Sequence, residues 1–254
     1  MAKKKEHTII SATTGEQIKP GEVPVQQAQT THTVQQAAPV GNAKTLRIVA
    51  CVLWALAIVF EVLAVLVAFG KINLTFLPQL PLLIVLIVLD LACVIVGSQL
   101  WKKANHIDPA SKQNPTKFWL WNNMGVIVAA FAFVPLIILM LANKDLDKKT
   151  KAICTVVAII ALLIGGLTGY DFNPISSEEK EAAVEALADA NIDQVFWAPF
   201  GKVYHTHEDC QALNQSETLT AGSVEQAIAA GRTRLCYFCA ERDNIEGVTT
   251  DEAA

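Results

Sequence analysis

"IVACVLWALAIVFEVLAVLVAFG" (residues 48–70) runs for twenty-three residues with a single charged side chain, Glu61. A helix needs about 20 mainly apolar residues to cross a hydrocarbon core of about 30 Å. A buried helix of a soluble bundle would keep a polar stripe at helical spacing, and this run has none. Three more runs of the same kind follow: "LPLLIVLIVLDLACVIVG" (80–97), "LWNNMGVIVAAFAFVPLIILMLA" (120–142) and "AICTVVAIIALLIGGLTG" (152–169). They predict four transmembrane helices within residues 46–170. The second and fourth sit near the short limit for a span. Pro135, inside the third, predicts a kink that neighbouring helices accommodate.

The composition agrees. The chain is 52% hydrophobic and only 17% charged, more apolar than an average soluble domain. Its charge is also divided. Residues 1–170 carry fifteen Lys and Arg against eight Asp and Glu, whereas residues 171–254 carry five against sixteen. An acidic back half is a poor partner for phosphate backbones, whose proteins draw affinity from Lys and Arg. Nucleic acid is therefore not an expected partner.

Residues 1–45 are rich in Gln, Thr and Pro, as in "PVQQAQTTHTVQQAAPVG", and lack apolar periodicity. Such a segment cannot bury enough surface to offset its ordering entropy, and a disordered tail is expected. "MAKKKEH" at the start has the charge of a signal-peptide n-region, but no apolar h-region follows. Trp101, Phe118, Trp119 and Trp121 flank the loop between the second and third runs, where indoles favour the headgroup zone. With the N-terminus inside, the inner flanks hold Lys44, Arg47, Lys102, Lys103, Lys112 and Lys117. The outer flanks hold Lys71, Lys144, Lys148, Lys149 and Lys151. That near balance decides little by the positive-inside rule, and both termini are placed in the cytoplasm on the missing leader and the thiols discussed below.

After Tyr170 the character changes. "SSEEKEAAVEALADAN" reads as an amphipathic helix with Ser176 and Glu179 as a capping box, a linker over residues 171–192. A small domain over residues 193–246 follows, with a short disordered tail expected over 247–254. "QVFWAPFGKVYH" suggests two short strands about a turn at Phe200 and Gly201. "GSVEQAIAAG" is a short helix with Ser223 as N-cap, Gln226 completing the box and Gly231 as the terminating glycine.

Within this domain lie Cys210 and the Cys-x-x-Cys pair Cys236 and Cys239, with His205 and His207 close upstream. A Cys-x-x-Cys turn grips one metal with two thiolates, and a second pair closes a tetrahedron. Here that second pair is Cys210 with a histidine, and the spacing of either His205 or His207 serves. A disulfide framework would leave one of three thiols over, and a redox Cys-x-x-Cys would want a βαβ setting that is not visible. So small a domain cannot easily build a self-sufficient core, which gives a metal staple a purpose. Three thiolates and an imidazole leave no open position, so zinc would be structural, and thiolate ligation favours a reducing compartment.

"VYHTHEDCQAL", "AIAAG" and "CYFC" together resemble the zinc domain of the Ada methylphosphotriester-repair proteins and their Ada-like relatives over about forty residues. The resemblance places the ligand directly after the tyrosine, hence His205 with Cys210, Cys236 and Cys239, and His207 as the alternative. It departs from Ada in one respect: there all four ligands are cysteines. "GSQLWKKANHIDPAS" and "NKDLDKKTK" resemble segments of bacterial multi-pass membrane proteins that carry such a module, which implies a bacterial plasma membrane.

Glu61 and Asp90 lie near the middle of their runs, where an acid is costly and by default functional. They read either as a proton or cation site, or as helix glue hydrogen-bonded to each other, to Asn122, to Asn123 or to a carbonyl. Cys51, Cys93 and Cys154 read as packing residues. The chain is thus expected to be an α-helical membrane protein, with four transmembrane helices and a small C-terminal α+β zinc-binding domain. No catalytic set is read from it. Its function is expected to be a membrane-anchored, structural-zinc interaction module whose partners are the bilayer and either another protein or a second copy. Two alternatives stand beside it: a small transporter or ion sensor built on Glu61 and Asp90, and an Ada-like thiolate alkyl-transfer enzyme.

Overall fold

A computed structural model describes residues 7–18, 41–72 and 78–251. They form two compact units. One comprises Ala43–Asn105 and Pro115–Phe172. The other is built from the described parts of Met1–Asn42, His106–Asn114 and Asn173–Ala254.

The first unit is a bundle of four helices: α1 (Ala43–Ala68), α2 (Gln79–Ile107), α3 (Pro115–Ala142) and α4 (Lys148–Gly169). All four are long and apolar enough to cross a membrane. The shortest, α4, has 22 residues, about 33 Å of helix. The apolar run at 80–97 understated α2, which extends at its end through Trp101, Lys102 and Asn105. Backbone hydrogen bonding carries α3 past Pro135 to Ala142. Asp147 caps α4, its carboxylate accepting from Lys149 N–H and Thr150 N–H, each at 3.0 Å.

Size is distributed through the bundle in a way a water-soluble core would not use. Small residues occupy much of its buried seam, among them Ala57, Ala64, Ala129, Ala132, Ala158 and Ala161. Leu83, Ile87, Phe133 and Leu136 share that seam, while many other large apolar residues face outward: Phe131 is 73% exposed and Leu167 66%. Lipid is as apolar as leucine, so burying leucine against leucine gains little there, whereas small residues let backbones approach and gain dispersion contacts. The α3–α4 contact is the extreme case. A Cβ added to Gly125 would lie 2.8 Å from the Gly169 carbonyl oxygen.

The indoles divide differently from expectation. Trp119 is 60% exposed, as an interfacial anchor would be. Trp101 is buried. It packs between Trp54 and Trp121, with ring centroids 5.2 and 5.8 Å away, and donates its Nε1–H to the Trp121 carbonyl at 2.9 Å.

The second unit is α+β. Its strands are β1 (Thr8–Ser11), β2 (Gln17–Ile18), β3 (Val195–Trp197), β4 (Val203–Tyr204), β5 (Thr218–Gly222) and β6 (Arg234–Leu235). Its helices are α5 (Ser177–Asp189), α6 (Val224–Ala229) and α7 (Tyr237–Asp243). One sheet has the order β2-β1-β5-β3, and the other pairs β4 with β6. Both expected capping boxes are present, Ser176 with Glu179 on α5 and Ser223 with Gln226 on α6. Gly231 follows α6 with φ of +85°, a conformation open to glycine at no steric cost.

Three expected boundaries change. Part of the N-terminal segment is not a disordered tail: β1 lies parallel to β5, with Ile9 opposite Leu219, and Ile9 is buried. A four-residue strand between Glu6-His7 and Ala12-Thr13-Thr14 carries too little periodicity to announce itself, and the neighbouring strand supplies its hydrogen bonds. The rest of the expected tail, residues 1–6 and 19–40, lies outside the described residues. Second, α5 is more than a spacer, because Ala183 and Leu187 are buried in the core with Val195, Leu219 and Ile228. Its first turn also holds the 106–114 loop. The Ser111 hydroxyl and Lys112 N–H both donate to Glu178, keeping that carboxyl down at about 2, and Lys112 Nζ pairs with Glu179. Third, residues up to Asp251 are ordered beyond 246: Leu235 N–H donates to Thr249 O, and Tyr237 N–H to the Asp251 carboxylate at 2.8 Å. Residues 252–254 lie outside the described residues.

The β1–β5 pairing makes a direct prediction. Ile9→Ala removes a buried side chain, at a cost of roughly 2 kcal/mol. Amide hydrogen exchange across Thr218–Gly222 is expected to quicken by more than tenfold, while α3 and α4 keep their protection.

Candidate metal centre

Strand pairing assembles the cluster. β4 and β6 run parallel with Val203 opposite Arg234 and Tyr204 opposite Leu235. The next residue on each strand is therefore a cluster member, His205 on one and Cys236 on the other. Cys236 N–H donates to the Tyr204 carbonyl at 2.9 Å, which locks that register. His205 is fixed a second time through β3: it exchanges two backbone hydrogen bonds with Phe196, both 2.7 Å. This closes the hairpin foreseen around Phe200 and Gly201.

Cys236 is the N-cap of α7, and Cys239 sits in its first turn. Cys239 N–H and Ala240 N–H both donate to the Cys236 carbonyl, at 3.1 and 2.9 Å, so the Cys-x-x-Cys loop is a helix start. Cys210 precedes a single 3-10 turn at Gln211–Leu213, whose Leu213 N–H bonds back to its carbonyl at 2.9 Å.

The four side chains converge. One ligand atom from each of His205, Cys210, Cys236 and Cys239 lies within 4.8 Å of all the others, and all four residues are buried. The Cys210 and Cys236 sulfurs are 3.9 Å apart, and Cys239 Sγ is 3.8 Å from His205 Nδ1. A tetrahedral ion with bonds of about 2.3 Å to sulfur has edges of about 3.8 Å. The donor set, these two edges and the burial thus make a cluster that could hold one metal cation.

The electrostatics lean the same way. The Cys239 thiol is held far below its ordinary range by hydrogen bonds from Cys210 and Cys236, against burial, with His205 and Thr206 adding to the effect. Cys236, on the donating side of those contacts, is pushed up. Burial disfavours charge on His205, but hydrogen bonds and charge from Cys210 and Cys239 outweigh it and raise the imidazole to about 9. With no ion bound, the cluster thus favours one thiolate, on Cys239, beside a charged imidazole.

His207, the other histidine of suitable spacing, does not join. Its Nε2 meets Asp243 Oδ1 at 2.6 Å, and the Thr206 hydroxyl donates to Asp243 Oδ2 at 2.5 Å. Arg242 pairs with Asp209 at 2.9 Å. The end of α7 therefore clamps the loop between His205 and Cys210. Asp243 was not foreseen: it stands one helical turn past Cys239, and nothing in its local sequence separates it from a solvated acid. Tyr204, expected as packing around the site, is fully buried, and its hydroxyl has no hydrogen-bond partner among the described residues.

In the bundle, Asp90 of α2 is buried, and neither carboxyl oxygen has a hydrogen-bond partner among the described residues. Glu61 of α1 is partly exposed and close enough to interact with it electrostatically. The asparagines expected as glue face elsewhere: Asn122 donates to the Phe118 carbonyl and Asn123 to the Trp119 carbonyl, each one turn back in α3. Of the bundle cysteines, Cys154 is buried as packing requires, while Cys51 is exposed on α1.

No family model, no curated protein and no solved structure matches the chain. The Ada-like reading of the terminal domain rests on its own residues.

The two histidines separate cleanly in experiment. Metal content after exhaustive dialysis is expected to fall to background in His205→Ala. In His207→Ala it is expected to stay stoichiometric, with affinity weakened by roughly tenfold or less through the loosened loop.

Proposed function

We propose that this chain is a membrane-anchored zinc module, in which the ion folds the terminal domain and the folded domain presents an interaction surface. The observation that carries the reading is the convergence of one imidazole and three sulfurs, all buried, to within 4.8 Å of one another. A tetrahedral set of one nitrogen and three sulfurs is zinc chemistry, and a set with no open position is structural. His205, Cys210, Cys236 and Cys239 are the proposed ligands. The ion would supply the cross-link between the β4–β6 pair, the 3-10 turn and α7. The Ada-like pattern of the same residues supports the assignment. An Ada-like alkyl transfer has less support, because each cysteine is at most 4% exposed and the domain carries an acidic excess that opposes DNA.

Four crossings would put the N-terminal segment, the 106–114 loop and the terminal domain on one side of a membrane. We place that side in the cytoplasm of a bacterium, where thiolates stay reduced and where the basic flanks at Lys44, Arg47, Lys102 and Lys103 belong. The partner of the domain is then another protein or a second copy.

The test is direct. The purified full chain is expected to carry one zinc per molecule, and a strong chelator is expected to collapse the near-ultraviolet dichroism of the terminal domain. Cobalt substitution should give the intense sulfur-to-cobalt absorption of a three-thiolate tetrahedral site. Acidification should release the ion as protons reclaim the thiolates. Sub-stoichiometric metal, with dichroism indifferent to chelation, would refute the reading.

Asp90 favours a second activity in the same chain. An acid buried in an apolar bundle with no hydrogen-bond donor is costly and needs a proton or a cation to neutralise it. An ion-handling role for Glu61 and Asp90 predicts that Asp90→Asn and Glu61→Gln abolish a cation or proton flux in proteoliposomes, with thermal stability unchanged. A packing role predicts altered stability and no flux to lose.

A further inference from the structure

The four apolar runs hold two acids, Glu61 and Asp90, and no Lys, Arg or His. Asp90 is 1% exposed, and neither carboxyl oxygen has a hydrogen-bond partner among the described residues. A bare carboxylate in an apolar interior is so costly that the group takes up a neutralising ion instead. No side chain of the runs supplies positive charge. A hard metal cation needs roughly six oxygen ligands or more, and Asp90 brings two. The groups that interact with it electrostatically are Glu61 on α1 and Cys93 on α2, and neither adds positive charge. The core that α3 and α4 contribute includes Ala129, Ala132, Phe133, Ala158 and Ala161, and Cys154 is its one titratable residue. Two neighbouring carboxylates resist ionising together, which adds to the demand for a proton.

Helix α2 is not symmetrical about this acid. Toward Gln79 it offers only Leu, Ile, Val and Pro over residues 80–89. In the other direction Asp90, Val94, Ser98, Trp101 and Asn105 recur at spacings of three and four, so they share one face, and all of them are buried. Ser98 Oγ and Asn105 Oδ1 have no hydrogen-bond partner among the described residues. A third unpartnered group joins from α1: a Cβ added to Gly97 would lie 2.6 Å from Trp54 Nε1. From Asp90 to Asn105 the face covers about 22 Å of helix, with Ser98 about 12 Å along it. An indole N–H, a hydroxyl and an amide oxygen are the donors and acceptors that buried water needs. Thr155 of α4 also has an unpartnered buried hydroxyl, but it lies elsewhere. A Cβ on Gly165 would lie 3.6 Å from Val94 Cγ1, and Ser98 and Gly169 both crowd Gly125. Helix α4 therefore runs beside α2 in the same direction. Thr155, about 15 Å back from Gly165, falls on the far side of Asp90 from Ser98.

We infer that Asp90 is a proton-binding site, held as the neutral acid, which exchanges its proton toward the Asn105 end of α2 along the face that bears Trp54 Nε1, Ser98 and Asn105. This rests on the reading of Asp90 as an ion site and names the ion. The exchange makes and breaks only O–H bonds. The proton leaves an Asp90 oxygen for water on that face, and the Ser98 hydroxyl accepts one proton as it releases its own.

The full chain is reconstituted in vesicles with its aspartate carboxyl carbons labelled with carbon-13, and infrared spectra are followed after a jump to alkaline pH. Near neutral pH a carboxylic-acid carbonyl band that moves with the label is expected, and Asp90→Asn should remove it. Where that variant does not fold, Asp90→Glu is expected to keep an acid band that no longer responds to the aspartate label. Ser98→Ala should slow the decay of the band by about tenfold or more, the scale of a lost proton-transfer partner. Thr155→Val should leave the rate unchanged. No labelled acid band, a band indifferent to Asp90, an unslowed Ser98→Ala or equal slowing in Thr155→Val would each overturn the site. Sodium, potassium or magnesium converting the band to carboxylate would overturn the proton and keep a metal cation as the ion. A labelled acid band without any flux in proteoliposomes would uphold the site and refute transport alone.

Discussion

Two residues of parallel strand pairing organise the terminal unit. By setting Tyr204 opposite Leu235, β4 and β6 deliver His205 and Cys236 side by side from positions thirty-one residues apart in the chain. So short a ladder has little stability of its own. What makes it persist is that its ends are tied on every side. The hydrogen bonds to Phe196 fix His205, the start of α7 fixes Cys236 and Cys239, and Asp243 and Arg242 pin the intervening loop. A cation at the centre would join these weak local pieces into one, which is why small domains of this kind use metal where a larger core would suffice.

The unit is nevertheless larger than a metal knuckle. Strand β1, α5 and the 106–114 loop all contribute to it, so segments far apart in sequence share one core around Leu187, Val195, Leu219 and Ile228. That arrangement gives connectivity a meaning. The segments that gather here are those that precede α1, join α2 to α3 and follow α4. The Glu178 and Glu179 carboxylates at the head of α5 receive the loop that joins α2 to α3.

The bundle follows the opposite size rule. Its closest backbone contact is made by glycine, where Gly125 meets Gly169, alanines line much of the seam beside buried Leu83, Ile87, Phe133 and Leu136, and many other large side chains point away. The polar groups inside are correspondingly exceptional. Asn122 and Asn123 satisfy themselves on their own helix, but Asp90 does not. Among the described residues, Asp90 is the acid whose two carboxyl oxygens are buried without a hydrogen-bond partner, and the hydroxyls of Ser98 and Thr155 also lack one.

Four helices, their approximate ends and the two capping boxes were legible in the residues, because hydropathy and cap chemistry are local properties. So was the His-Cys-Cys-Cys cluster that the fold brings together, since a Cys-x-x-Cys with one further cysteine and an upstream histidine restricts the choices to two. The choice between His205 and His207 was not local. Both would share a strand face, but β4 ends at Tyr204 and Asp243, thirty-six residues later, takes up His207. Nor could periodicity reveal β1, whose strand character comes from the hydrogen bonds of β5, or the burial of Trp101 between two other indoles. The composition of each segment determined what it could become. Long-range pairing determined what it met, because a hydrogen bond or an ion pair stabilises only through a partner that the local sequence does not contain.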